Sequence, residues 1–152
     1  MKITELTEAT APRNKAGVIP FVIQPDGTTL MMFMIPSDPA YGGSRPQIAK
    51  GGIDAGENAQ EAAIREGEEE LGLSRANIVS IHAVPPVTVS GLDATYTMSI
   101  YAAQVKDQSS FGKPHFETGD IYWLTAEQFA QRGRKNQLSL VTAAVKIIDH
   151  IG

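Results

Sequence analysis

The first regular pattern in the chain is a pair of apolar runs, Ala16 to Ile23 and Thr28 to Ile35, separated by Gln24-Pro25-Asp26-Gly27. Asp-Gly between two strand-like runs predicts a β-hairpin. A helix is expected from Ala59 to Leu71, with Asn58 as N-cap, Glu61 three residues on as capping-box partner and Gly72 ending it. Mid-helix Gly67 costs about 1 kcal/mol against alanine, which implies a close approach there. Asn77 to Val84 and Ala94 to Val105 read as strands, and Pro85-Pro86 and Ser90-Gly91 mark a loop between them. A short strand is expected at Asp120 to Leu124, then a helix capped by Thr125 and running through Arg132. Leu138, Val141, Val145, Ile148 and Ile151 recur at three- and four-residue steps, the signature of an amphipathic helix over Leu138 to Ile151. Ser37 to Pro46 and Lys106 to Gly119 lack such a period and read as surface loops. Strands and helices interleaved in this order predict a mixed sheet covered by helices.

Composition narrows the class. A chain of 152 residues suits a single domain, 1–152, with 42% hydrophobic and 20% charged residues typical of a soluble globular protein. No apolar run approaches the roughly 20 residues of a membrane span. Met1 to Leu6 contains an acidic residue and no apolar signal-peptide core, so no export route is expected. The absence of cysteine excludes disulfide and thiolate chemistry and fits a cytoplasmic protein. The net charge is −4, and no basic run suggests a surface for duplex nucleic acid.

The chemistry concentrates between Gly51 and Leu73. On a helix Glu66 shares a face with both Glu69 and Glu70, and like charges at that spacing repel. A cation relieves the repulsion, and hard divalent cations prefer carboxylate oxygens. Read in full, the segment is Gly51, five residues, Glu57, seven residues, then Arg65-Glu66-Gly67-Glu68-Glu69-Glu70-Leu71-Gly72-Leu73. It resembles the Nudix box, whose seven specified residues recur by chance in about one chain in a million of this length. Gly67 stands where the family usually has an aliphatic or threonine, and Ala49 where it has proline; neither departure touches a carboxylate.

The resemblance implies a Nudix fold, an α/β/α sandwich on a mixed β-sheet, and a Mg2+-dependent (or Mn2+-dependent) pyrophosphohydrolase. It assigns Glu66, Glu69 and Glu70 as metal ligands and catalytic residues, joined by the backbone carbonyl of Lys50. Arg65 matches the arginine that orients the glutamates, and Glu57 the glutamate that supports the same metal network. Glu68 points off the shared face, to solvent. Outside the box, Glu117 is the candidate extra ligand or base, with Asp120 as the fallback. Arg45, Lys50, Tyr41 and Phe116 are candidate substrate contacts, and His115 lies beside them. The expected partners are a small nucleotide and at most a second copy of the chain, with no membrane and no duplex nucleic acid. The substrate expected is a nucleoside diphosphate linked to another moiety, either a dinucleoside polyphosphate or an ADP-ribose-like compound. Nucleoside triphosphate hydrolysis and nucleotide sensing without turnover are the alternatives. Substrate choice is expected to lie in Ser37 to Pro46, Pro85 to Leu92 and Lys106 to Gly119.

Overall fold

The hairpin forms where the Asp-Gly signal places it. Strands β1 (Lys15–Ile23) and β2 (Thr29–Pro36) pair antiparallel, with Ile23 opposite Thr29. Gly27 closes the turn at φ 89°, a left-handed conformation that favours glycine. The computed structural model describes residues 13–90 and 95–151. The expectations for Met1 to Leu6, for Ala94 and for the end of the Pro85 to Leu92 loop therefore lie outside the described residues.

Helix α1 (Ala59–Leu71) has the expected bounds: the Asn58 side chain accepts from the Glu61 N–H at 2.8 Å, and Gly72 ends it in the left-handed region. Glu61 does not complete a capping box. Its carboxylate turns to Arg75, 2.6 Å away, a charge-assisted bond that competes with the neutral cap N–H. Strand β4 (Ile78–Ala83) follows, and β6 (Thr95–Val105) is the long strand expected. Strand β7 (Thr118–Leu124) starts two residues early, so the polar loop before it ends at Glu117. Helix α2 (Ala126–Arg132) has a complete capping box between Thr125 and Gln128. Helix α3 (Leu138–Ile151) is amphipathic, but its buried stripe is Leu140, Val141, Ala144 and Ile148, and Ile151 is exposed.

Two short strands were not expected. Strand β3 (Ala49–Gly52) pairs with β1, Lys15 lying opposite Gly52. Strand β5 (Val87–Ser90), in what the proline and glycine signals marked as loop, pairs with β6. The sheet runs β4-β6-β1-β2-β7, with β3 beside β1 and β5 beside β6, and among the described residues only the β1–β6 pair is parallel.

Alternation along β1 and β6 gives the sheet two apolar faces. Ala16, Val18, Ala103 and Val105 pack with Ala62 and Ala63 of α1 and with Leu73. Ile19, Phe21, Ile100 and Ala102 face the other way, against Phe129 of α2 and Val141, Ala144 and Ile148 of α3. The result is the α/β/α sandwich on a mixed sheet. A Cβ at Gly67 would come within 2.8 Å of Val18 Cγ1 and 2.9 Å of Leu73 Cδ2, so the missing side chain lets α1 lie close on β1.

Candidate active site

Strand β3 brings the glycine turn under α1. A Cβ on Gly51 would overlap the Glu66 carboxylate, so a side chain there would displace the carboxylate that Arg65 holds. Arg65 locks turn to helix. Its Nε and Nη2 donate to the two Glu57 oxygens at 2.9 and 3.0 Å, and Nη2 also donates to the Gly52 carbonyl at 2.9 Å. Nη1 donates to Glu66 Oε1 at 2.9 Å and stands 3.6 Å from Glu69 Oε2. The bond from Arg65, aided by the Asp54 N–H, holds the Glu57 carboxyl down at about 2, and Glu57 in turn raises Arg65 above its ordinary value. Both oxygens of Glu57 are thus engaged by Arg65.

Glu66 is 9% exposed, and burial raises its carboxyl against the opposing bond from Arg65. Glu70 is more extreme. Burial, and then the charge of Glu66, push it up to about 8, while the Lys50 main-chain N–H and ammonium pull the other way. Its Oε2 is buried without a hydrogen-bond partner. Lys50 is pressed down to about 8 by burial and by Lys15 and Arg134, with Glu70 and Glu66 opposing. Lys50 and Glu70 line one cavity of about 700 Å3. Glu68 is exposed, 3.5 Å from Arg75.

The polar loop is tied to the end of α1 by backbone bonds. Gly112 N–H donates to the Gly72 carbonyl at 2.7 Å, His115 N–H to Glu69 at 2.8 Å, and Thr118 Oγ1 to the Glu70 carbonyl at 2.7 Å. These bonds carry Glu117 and Phe116 to the cavity that holds Glu70. Glu117 raises both Glu66 and Glu70, which places three carboxylates within electrostatic reach. Ser37 N–H donates to the Glu117 carbonyl at 2.8 Å, joining this loop to the one carrying Tyr41. Tyr41 and Phe116 line the cavity, yet are 78% and 87% exposed.

Asp120, His115 and Arg45 lie outside the cavity wall, and the Arg45 guanidinium is 3.5 Å from the Arg132 carbonyl. Lys15, Gln47 and Arg134 line the cavity and were not singled out from sequence. Lys15 carried a signal visible only after pairing, since it lies across the sheet from Gly52. Arg134 is placed by its N–H donating to the Pro46 carbonyl at 2.8 Å, a contact that no local pattern announces.

Hard divalent cations take oxygen ligands. The orphaned, buried Glu70 oxygen beside Glu66 and Glu117 fits such an ion in its donor chemistry. Among the described residues no three acidic or histidine side chains are gathered into a ready cage, and Arg65 serves as the local cation for Glu66 and Glu69.

The family model for the NUDIX domain matches residues 13–144. No curated protein matches the sequence. Among solved structures, an Ap4A hydrolase binary complex from C. elegans superposes with TM-score 0.75 at 17% identity, over 91% of this chain and 99% of that one. The NUDIX domain of Shewanella oneidensis NrtR, complexed with ADP ribose, gives TM-score 0.73 at 14% identity, over 97% and 99%. RenU, a Nudix hydrolase from M. Smegmatis, gives 0.72 at 17%, over 90% and 87%. At these identities the superpositions speak for the fold. With a family match over residues 13–144, the chain belongs to the NUDIX domain family.

Proposed function

We propose that this chain is a divalent-cation-dependent pyrophosphohydrolase that cleaves a nucleoside diphosphate linked to another moiety by attack of water at phosphorus. The observation carrying this reading is the Glu70 carboxylate, within electrostatic reach of Glu66 and Glu117 and with one oxygen buried and unpartnered, at a cavity open to solvent. In this reading Glu66, Glu69 and Glu70, with the Lys50 carbonyl, would hold Mg2+ or Mn2+. The bound ion supplies Lewis-acid neutralisation of phosphoryl oxygens. Arg65 and Glu57 hold the glutamates in place. Glu117, in the wall of the same cavity, accepts the proton of the attacking water. Tyr41 and Phe116, two aromatic rings left exposed at the cavity, stack on the base. A cytoplasmic setting belongs to the same reading and is supported by the lack of cysteine.

The competing reading is nucleotide binding without turnover, and Arg65 favours it by standing as the cation among Glu57, Glu66 and Glu69. Release of phosphorylated products, resolved by chromatography, from a panel of dinucleoside polyphosphates, ADP-ribose and nucleoside triphosphates, with and without Mg2+, separates the two. Mg2+-dependent release from at least one compound, with oxygen-18 from water in a phosphorylated product, is the expected result. Binding of the same compounds with no release would establish the sensor instead, and label absent from every product would mean transfer to another acceptor.

A further inference from the structure

The acidic helix ends in carbonyls that it cannot satisfy itself, because the last four C=O groups of an α-helix have no intrahelical partner. In α1 the polar loop before β7 supplies two of the missing donors. The His115 N–H donates to the Glu69 carbonyl at 2.8 Å, and Thr118 Oγ1 donates to the Glu70 carbonyl at 2.7 Å. Both carbonyls belong to residues whose side chains form the acidic face. The Thr118 bond differs in kind from the other: it comes from a side chain, so a substitution can delete it and leave the main chain untouched.

Thr118 follows Glu117 directly and is itself held in place. Its N–H donates to the His115 carbonyl at 3.1 Å, closing a turn that carries Phe116 and Glu117. Across the sheet Thr118 pairs with Pro36 while Asp120 pairs with Ile35, so Gly119 stands unopposed in a bulge. A bulge bends the strand and re-aims the side chains beside it. Farther from the cavity, Asn77, 3% exposed, anchors the start of the loop. Its amide nitrogen donates to the Asp107 and Ser110 carbonyls at 3.2 and 3.4 Å, and its Oδ1 accepts from the Lys106 and Asp107 N–H groups at 3.0 and 3.3 Å. Phe111 then meets Trp123 edge-on at 5.7 Å. The loop is therefore an arm fixed at both ends, and the Thr118 hydroxyl is its side-chain tie to Glu70.

We infer that Thr118 is a positioning residue whose hydroxyl sets the reach of the Glu117 carboxylate relative to Glu70. The inference rests on the hydrolase reading, in which Glu117 takes the proton of the attacking water, and deepens it. With the bond in place, Glu117 and the acidic face of α1 move as one body. Without it the turn from His115 to Thr118 hangs on main-chain bonds, and Glu117 loses its fixed distance from the water.

Thr118→Val keeps the branched shape and removes the hydroxyl, and Thr118→Ser keeps the hydroxyl. On a compound that the parent hydrolyses, Thr118→Val should lower kcat about tenfold, the scale of one lost hydrogen bond, with KM little changed, and Thr118→Ser should stay near the parent. In a Glu117→Gln background Thr118→Val should cost nothing further, because the group it positions is gone. The same loss in both backgrounds, a serine variant as slow as the valine one, or a change confined to KM overturns the inference. A measurement without turnover separates its failure from that of the hydrolase reading. Hydrogen exchange at the His115 amide, read by NMR, should speed up about tenfold in Thr118→Val and not in Thr118→Ser. Unchanged exchange in the valine variant overturns the tie even in an active enzyme, whereas faster exchange in a chain that hydrolyses nothing upholds the tie and removes the hydrolase reading.

Discussion

Glu70 is where the electrostatics of the site converge: it is half-buried, faces a like charge and has one buried oxygen unbonded. Removing its charge while keeping its size removes a ligand from the proposed cation site. Glu70→Gln, and equally Glu69→Gln, should lower turnover by at least about 10²-fold, the scale of losing a main electrostatic stabiliser. Steady-state rates at limiting Mg2+ check this, and near-parent turnover in either variant would remove that residue from the site. Glu117→Gln should also lower turnover with the fold intact, whereas Asp120→Asn, outside the cavity wall, should not. The reverse pattern would move the proton acceptor to Asp120. Helical spacing in the sequence groups Glu66, Glu69 and Glu70; in the structure Glu66 and Glu70 come within electrostatic reach of each other, and Glu69 stands by Arg65. Lys15 and Arg134 were not legible in the sequence, because each reaches the cavity through a long-range contact: with Gly52 and Pro46 respectively.

Among the elements, α1 was readable to the residue because its stop signals are local: the Asn58 side chain at one end and a glycine in the left-handed region at the other. Strand β3 was not, because Ala-Lys-Gly-Gly contains no strand former and is held by β1. Strand β5 was hidden by its punctuation, since Pro85-Pro86 and Ser90-Gly91 flank four residues stabilised only by pairing with β6. The seat of α1 on the sheet depends on Gly67. Alanine there gains about 1 kcal/mol of helix propensity, but forcing a methyl against Val18 and Leu73 costs about 1–3 kcal/mol of overpacking. Packing should win, and Gly67→Ala should melt below the parent. A variant that melts above it would mean α1 shifts freely on β1.

For the molecule as a whole, the acidic site links stability to pH and to cations. Burial raises the Glu70 carboxyl from 4.5 to about 8, so the metal-free folded state keeps a proton that the unfolded chain has released. The stability from that proton is fully present below about pH 4.5 and is lost as pH rises through about 8. In chelator, Glu70→Gln should lack this decline and melt at or above the parent's temperature at pH 8. Melting curves at pH 5 and 8 check it, and identical pH dependence in both proteins would show that Glu70 is not the group responsible. A divalent cation must expel the same proton, so its stabilisation of the parent should grow over the same pH range.

The central claim, that the acidic face of α1 is a divalent-cation site, is tested most directly by comparing the Mg2+-induced melting shift of the parent and Glu70→Gln, each measured against chelator. The parent should gain about 2.7 kcal/mol at free Mg2+ near 100 times its dissociation constant, by mass action on the folded state, and the variant visibly less. Equal shifts in the two proteins would mean that Glu70 holds no cation, and would contradict the account.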